Sequence, residues 1–355
     1  MNRRHFLQLS SMAGIHYFIG PQTYQDIYFG NRYLMTVNGK ISSDKAGITL
    51  PHEHITTDFI GAEKVSQPQY KREDAYQLIL PFLNQLKQQR VGTLIECTPN
   101  YLGRDVRLLK QLSDASGINI LTNTGYYAAV DYKYLPRHFY KENVQQIGKR
   151  WLQEWKEGIN GTGIRPGFIK LGVGKGPLKL IEHKLLKAAA YTHLRSGLKI
   201  AVHSGDGIAA REEMEILWKA GVAPTAHIVI HAQNDKSGDI QVELARKGCW
   251  ISLDGVKNSD ASIAQYSTFL KKLKEEKLLH RVLISHDDGW AVNKNSSNGK
   301  ISLDLFGGVD KLPYSAIFTK LMPELLKGTF TEEDFTTIMV KNPAEAFAVK
   351  VCARK

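Results

Sequence analysis

An α/β fold, closed as a (β/α)8 barrel, is the architecture this sequence predicts. Two observations carry that expectation. Short apolar runs rich in Val and Ile alternate with longer stretches of helical periodicity. Eight such runs fall across about 300 residues with no Pro-, Gly- or Ser-rich linker among them. Eight strand–helix units in that length suit a closed parallel barrel better than an open sheet. A single domain over residues 26–355 is the simplest organisation.

The first run is GITL (47–50), followed at once by PHEH. The next three are TLIEC (93–97), INILTNTG (118–125) and GFIKLG (167–172). KIAVH (199–203), HIVIH (227–231), CWISLDG (249–255) and RVLISHD (281–287) complete the set. Helical patterns fill the gaps. Residues 73–90 form one, with Pro81 expected either to kink it or to sit in its first turn. Residues 183–197 and 211–221 form two more, each closed by a glycine suited to a C-cap, Gly197 and Gly221. Residues 262–279 form a fourth.

Composition narrows the class. The chain has 355 residues, 43% hydrophobic and 23% charged, which is ordinary for a globular enzyme. No apolar run reaches the ~20 residues of a membrane-spanning helix. Cys97, Cys249 and Cys352 are too far apart for a disulfide framework or a C-x-x-C knuckle, and read as free thiols. The net charge of +12 is scattered, and its densest run, KKLKEEK (271–277), also carries acids. That pattern is a solvated helix face, so nucleic acid is not an expected partner. Residues 1–25 stand apart. Arg3-Arg4 precedes Phe6-Leu7 and a modestly apolar stretch, which resembles a twin-arginine export signal without an A-x-A cleavage site. Export by that route is the expectation, with the cytoplasm as the alternative.

Barrel chemistry is built at the C-terminal ends of the strands. His52 and His54 follow the first run, and in an extended chain residues two apart share a face. Such an H-x-H aims two imidazoles at one point, which suits a metal ion. His203, His231 and Asp287 end the fifth, sixth and eighth runs, and Lys170 lies inside the fourth. A lysine in an apolar strand pays desolvation unless something pairs it.

Taken in order, GITLPHEH, the GRD of 103–105, GFIKLG, AVH (201–203), VIHAQND (229–235), ISLDG, ISHDDGW (284–290) and KNPAEAF (341–347) resemble the phosphotriesterase family of the amidohydrolase superfamily. The resemblance runs from about Tyr33 to about Ala348. It implies two divalent metals, zinc first, with cobalt, manganese or iron as alternatives. It assigns His52, His54 and Asp287 to one metal and His203 and His231 to the other. Lys170, carboxylated by carbon dioxide, would bridge them, and Asp287 would serve as general base. The activity implied is hydrolysis of an ester, lactone or phosphoester small molecule. A homodimer is a candidate assembly.

Departures from the family pattern are local. Phosphotriesterases carry a histidine, and lactonase relatives an arginine, after the strand-seven aspartate. Here Asp254 is followed by Gly255. Tyr126 and Tyr127 fall where lactonase relatives place pocket aromatics, and Trp290 lies just past Asp287, so all three are candidates for the substrate pocket. Two other readings compete. A barrel deoxyribonuclease of the same superfamily would fit the charge, but those relatives generally lack the bridging lysine. A metal-binding barrel that has lost catalysis is the other, and the intact Asp287, which would serve the nucleophile as well as the metal, argues against it.

Overall fold

The computed structural model describes residues 32–65, 68–294, 301–306 and 312–350. The export-like segment and Cys352 lie outside them. The described chain begins with an antiparallel hairpin, β1 (Tyr33–Thr36) and β2 (Gly39–Ser42). Eight parallel staves follow. They are β3 (Ile48–Glu53), with the short β4 (Thr56–Thr57) beyond it, then β5 (Val91–Glu96), and β6 (Asn119–Leu121) continued by β7 (Asn123–Thr124). The rest are β8 (Phe168–Gly172), β9 (Ile200–His203), β10 (His227–Ile230), β11 (Trp250–Asp254) and β12 (Val282–Ser285). All eight coincide with the expected runs.

One hydrogen-bonded series is β3-β5-β6 and the other runs from β7 to β12 in chain order. The third stave, broken at Thr122, joins them. At the remaining seam, β12 meets β3. Asp287 N–H donates to His52 O at 3.2 Å, and His52 N–H donates to Ser285 Oγ at 3.0 Å. The (β/α)8 barrel is thus closed, partly by side chains. Every residue of β8 and of β11 is buried, as strands covered on both faces must be.

The outer helices are α1 (Arg72–Gln88), α2 (Val106–Ser116), α3 (Arg137–Lys141), α4 (Val144–Glu157), α5 (Leu180–Ser196), α6 (Gly207–Lys219), α7 (Asp239–Lys247) and α8 (Asp260–Glu275). Pro81 is in the middle of α1, not its first turn, and faces solvent. There water can serve the carbonyl left by its missing N–H. Gly197 caps α5 at φ 76°, a left-handed conformation that glycine adopts at little cost.

The barrel interior is packed with Ile95, Leu121, Ile228 and Trp250, and Leu34 of the hairpin and Phe347 join the same cluster. Phe168, the first residue of β8, meets Phe347 edge-on at 5.3 Å. Val349 N–H donates to Tyr33 O at 2.9 Å. The N-terminal end of the barrel is therefore stoppered, which leaves the C-terminal end for chemistry. Beyond that end, β13 (Gly289–Asn293) and β14 (Ser302–Phe306) form a hairpin paired to β4. It follows the last stave and was not foreseen. Cys97 and Cys249 are free, as expected, and both are buried. Among the described residues no helix is long and apolar enough to cross a membrane.

Candidate metal centre

Strand ends position the candidate ligands. His52 is the penultimate residue of β3, and His54 follows its end. Lys170 is the central residue of β8 and His203 the last of β9. His231 and Asp287 lie just past β10 and β12, at φ 58° and 57°. Left-handed backbone at a residue other than glycine costs on the order of 1–3 kcal/mol and persists only where neighbours impose it. At His231 the neighbour is Asp254, whose Oδ1 accepts the His231 N–H at 3.0 Å.

The imidazoles converge. His52 Nε2 and His54 Nε2 stand 3.3 and 3.1 Å from one oxygen, Oδ1 of Asp287. The His52 and His231 rings are 5.0 Å apart, and those of His203 and His231 are 4.4 Å apart. The remaining ring nitrogens are held from behind. His54 Nδ1 is 2.7 Å from Thr98 Oγ1. His231 Nδ1 is 2.5 Å from Asp254 Oδ1. His52 Nδ1 lies 3.2 Å from Asp254 Oδ2, within ion-pair distance but not aligned as a hydrogen bond. Asp254 therefore backs two histidines and leaves their Nε2 atoms facing inward, as outer carboxylates do in metal sites. Its place at the end of an apolar strand was visible in the sequence, but its partners were not.

Lys170 is almost wholly buried, and its Nζ donates one long hydrogen bond, to Leu171 O at 3.4 Å. Burial pushes this amine below its ordinary value. Burial likewise lowers His203, further depressed by His231. Burial opposes a charged His52, yet the Asp254 and Asp287 carboxylates outweigh it and carry the ring up to about 9. Asp287 is driven the other way. Burial disfavours its ionised form, but His52 and His54 hold it well below the carboxylate range. These donors suit a divalent cation. His52, His54 and Asp287 offer three ligand atoms within 4.8 Å of one another, and so do His52, His231 and Asp254.

The aromatic candidates divide. The Tyr127 ring stands 5.0 Å from that of His203, with Lys170 Nζ 5.6 Å from its centre. The other two are elsewhere. Tyr126 packs on Phe139 and Trp151, and its hydroxyl meets His138 Nε2 at 3.0 Å. Trp290 is buried against Phe82 and Tyr314. Both rings fill the layer between barrel and helices, the ordinary fate of large apolar side chains. In their stead Phe306 of β14 stands 5.6 Å from the His54 ring, with Phe59 beside it at 5.7 Å. A Phe so distant in sequence gave no signal. At Gly255 a Cβ would fall 2.5 Å from Tyr266 Oη and 3.0 Å from Gln233 Nε2. The two side chains take up the space a relay histidine or arginine would enter.

Glu96, at the end of β5, carries a measurable consequence. Its Oε1 accepts from Thr98 N–H at 3.2 Å, while its buried Oε2 has no partner among the described residues. Burial raises the carboxyl from 4.5 to about 7, against the pull of the Thr98 hydrogen bonds. The folded value lies above the unfolded one. Its contribution to stability is therefore full below pH about 4.5 and lost as pH rises through about 7. In urea unfolding of the metal-free protein, Glu96→Gln is expected to exceed the parent near pH 8 by roughly 3 kcal/mol, and the gap should close at low pH. A gap equal at both pH values would show that Glu96 is not the titrating group.

Comparison with known proteins agrees with this geometry. The model of the phosphotriesterase family matches residues 32–347. The phosphotriesterase homology protein of Escherichia coli (strain K12) is 28% identical over 309 residues, covering 86% of this chain and all of that protein. The N-acetyltaurine hydrolase of Danio rerio is 26% identical over 351 residues, 87% of this chain and 96% of its own. The solved organophosphorus hydrolase from Deinococcus radiodurans superimposes with a TM-score of 0.76 at 26% identity, over 89% of this chain and 96% of that one. A match that spans all eight staves and every residue of the candidate metal centre permits one assignment: the chain belongs to the phosphotriesterase family and is a hydrolase.

Proposed function

We propose that the protein hydrolyses a carboxylic ester, lactone or phosphoester at a two-metal centre bridged by carboxylated Lys170. One observation carries the reading: four imidazoles and Asp287 converge beside a buried lysine amine that has a single weak hydrogen bond among the described residues. Carboxylation needs the neutral amine, which burial favours. The Nζ lone pair adds to the carbon of carbon dioxide and an N–H proton leaves. The product is an anionic oxygen donor in place of an unpaired ammonium.

His52, His54 and Asp287 would hold one ion, and His203 and His231 the other, with Lys170 between them. Bound metals lower the pKa of a water and polarise the substrate oxygen. Asp287, kept ionised by its histidines, takes the proton of the attacking water. Asp254 keeps the His52 and His231 rings turned inward. Tyr127 on one side and Phe306 with Phe59 on the other offer apolar walls for the substrate.

A second reading follows from the N-acetyltaurine hydrolase relative, since the same attack cleaves an amide. A panel of aryl ester, lactone, phosphotriester and N-acetyl amide, with duplex DNA as the nuclease control, decides between them. Turnover of one ester-type or amide substrate is expected, lost on chelation and restored by zinc. Turnover indifferent to chelation would sink the metal mechanism.

A further inference from the structure

We propose that Lys257, on the loop after β11, is a positioning residue that holds the turn carrying Asp287, so that its carboxylate faces His52 and His54. The proposal rests on the reading of Asp287 given above. Three groups of one turn receive the Lys257 ammonium. It donates to the carbonyl of His286 and, at 2.6 Å, to Asp288 Oδ1, and it lies 3.4 Å from the carbonyl of Asp287.

The other face of the turn is wrapped around Glu53, which is fully buried. Glu53 Oε1 accepts from His286 N–H at 2.9 Å and Oε2 from Asp288 N–H at 3.0 Å. The placement of carboxylates singles out Lys257. Glu53 and Asp288 are both buried carboxylates on this turn. Between them His286 Nε2 accepts the Ile317 N–H at 3.2 Å, and its Nδ1 lies 2.8 Å from Glu53 Oε1. Lys257 is the ammonium in ion-pair contact with Asp288, and it is mostly withdrawn from solvent.

The lysine is itself anchored. Its N–H donates to Ser262 Oγ at 2.9 Å, and Gly255 and Val256 N–H both donate to Ser285 O at 3.2 Å. The loop after β11 is thus laid along the end of β12, and the side chain reaches over the turn from a fixed base. That turn includes the left-handed Asp287, a conformation its neighbours must impose. Lys257 meets only the main chain of Asp287. Its loss should misplace the carboxylate without altering the groups that touch substrate.

The test compares Lys257→Met, similar in shape but uncharged, with Lys257→Arg. The first readout is hydrogen exchange of residues 285–289 in metal-free protein, which needs no turnover. The second is zinc affinity by chelator competition. The third is kcat and KM on the aryl ester or other panel substrate. Expected for Lys257→Met are several-fold faster exchange confined to 285–289, and zinc affinity and kcat each lower by about 10- to 100-fold. KM should change little, and Lys257→Arg should recover most of each loss.

Unchanged exchange and zinc affinity in Lys257→Met would overturn the proposal. So would exchange that rises throughout the barrel, which marks a general structural role. If the parent turns over no panel substrate, the proposed function fails, and local exchange still decides whether Lys257 holds the turn.

Discussion

Lys170→Ala is expected to abolish hydrolysis and to leave the purified protein depleted of metal. The expectation follows from position. Lys170 is the middle residue of a wholly buried strand, and its amine lies among groups that can hold cations. Truncation removes both the group to be carboxylated and the only oxygen donor proposed to be shared by the two ions. Loss of an outer-shell partner alone costs about 10- to 100-fold in metal affinity or activity, and loss of a bridge should exceed that. The cavity left behind supplies a sharper test. A short carboxylic acid such as propionate can enter it and present the missing carboxylate, so part of the activity should return with acid concentration. Full metal content and full turnover in Lys170→Ala would refute the bridge. A buried lysine in a merely structural role would instead lose stability on truncation, with no response to propionate.

Asp287→Asn should lower kcat by about 100- to 10,000-fold, the range for removing a positioned acid–base group. The amide keeps the carboxylate's size, so thermal unfolding should shift little by comparison. Two losses combine. The amide cannot accept the proton of water as a carboxylate does, and its oxygen is a poorer ligand beside His52 and His54. The comparison with Asp288→Asn separates this from a generic effect of charge. Asp288 faces Lys257 and the Tyr314 N–H instead of the histidines. Equal kcat losses in the two variants would remove the special role of Asp287.

The parts of this site that could be read in advance share one property: each is encoded within a few residues. An apolar strand ending in His or Asp declares both its fold and its direction, so His52, His54, His203, His231 and Asp287 were legible, and the barrel with them. The interruption of the third stave at Thr122 was not, because INILTNTG reads as one continuous strand. Tyr126 and Tyr127 illustrate the limit at the side-chain level. Adjacent residues point to opposite sides of an extended chain, so one of the pair was bound to leave the site. Which one depends on His203 and Trp151, far away in sequence. Phe306 is a stronger case. Its approach to His54 requires β13 to pair with β4, a contact between residues more than two hundred apart. Glu53 was overlooked because its neighbours in the sequence are candidate metal-ligand histidines, while its own partners, Ser285, His286 and Asp288, are across the barrel seam.

The stopper beneath the barrel has a practical meaning. Tyr33 and Val349 are hydrogen-bonded neighbours at the closed end, while Asp287 and its histidines lie at the open one. In a chain trimmed to begin at Tyr33 or to end at Val349, a fused partner would be attached at the pole opposite to the candidate metal centre. A carrier protein, a resin or a membrane anchor fused there would leave the substrate's approach unobstructed. A short peptide joining the two positions, with new ends cut elsewhere, would circularise the barrel without crossing its mouth.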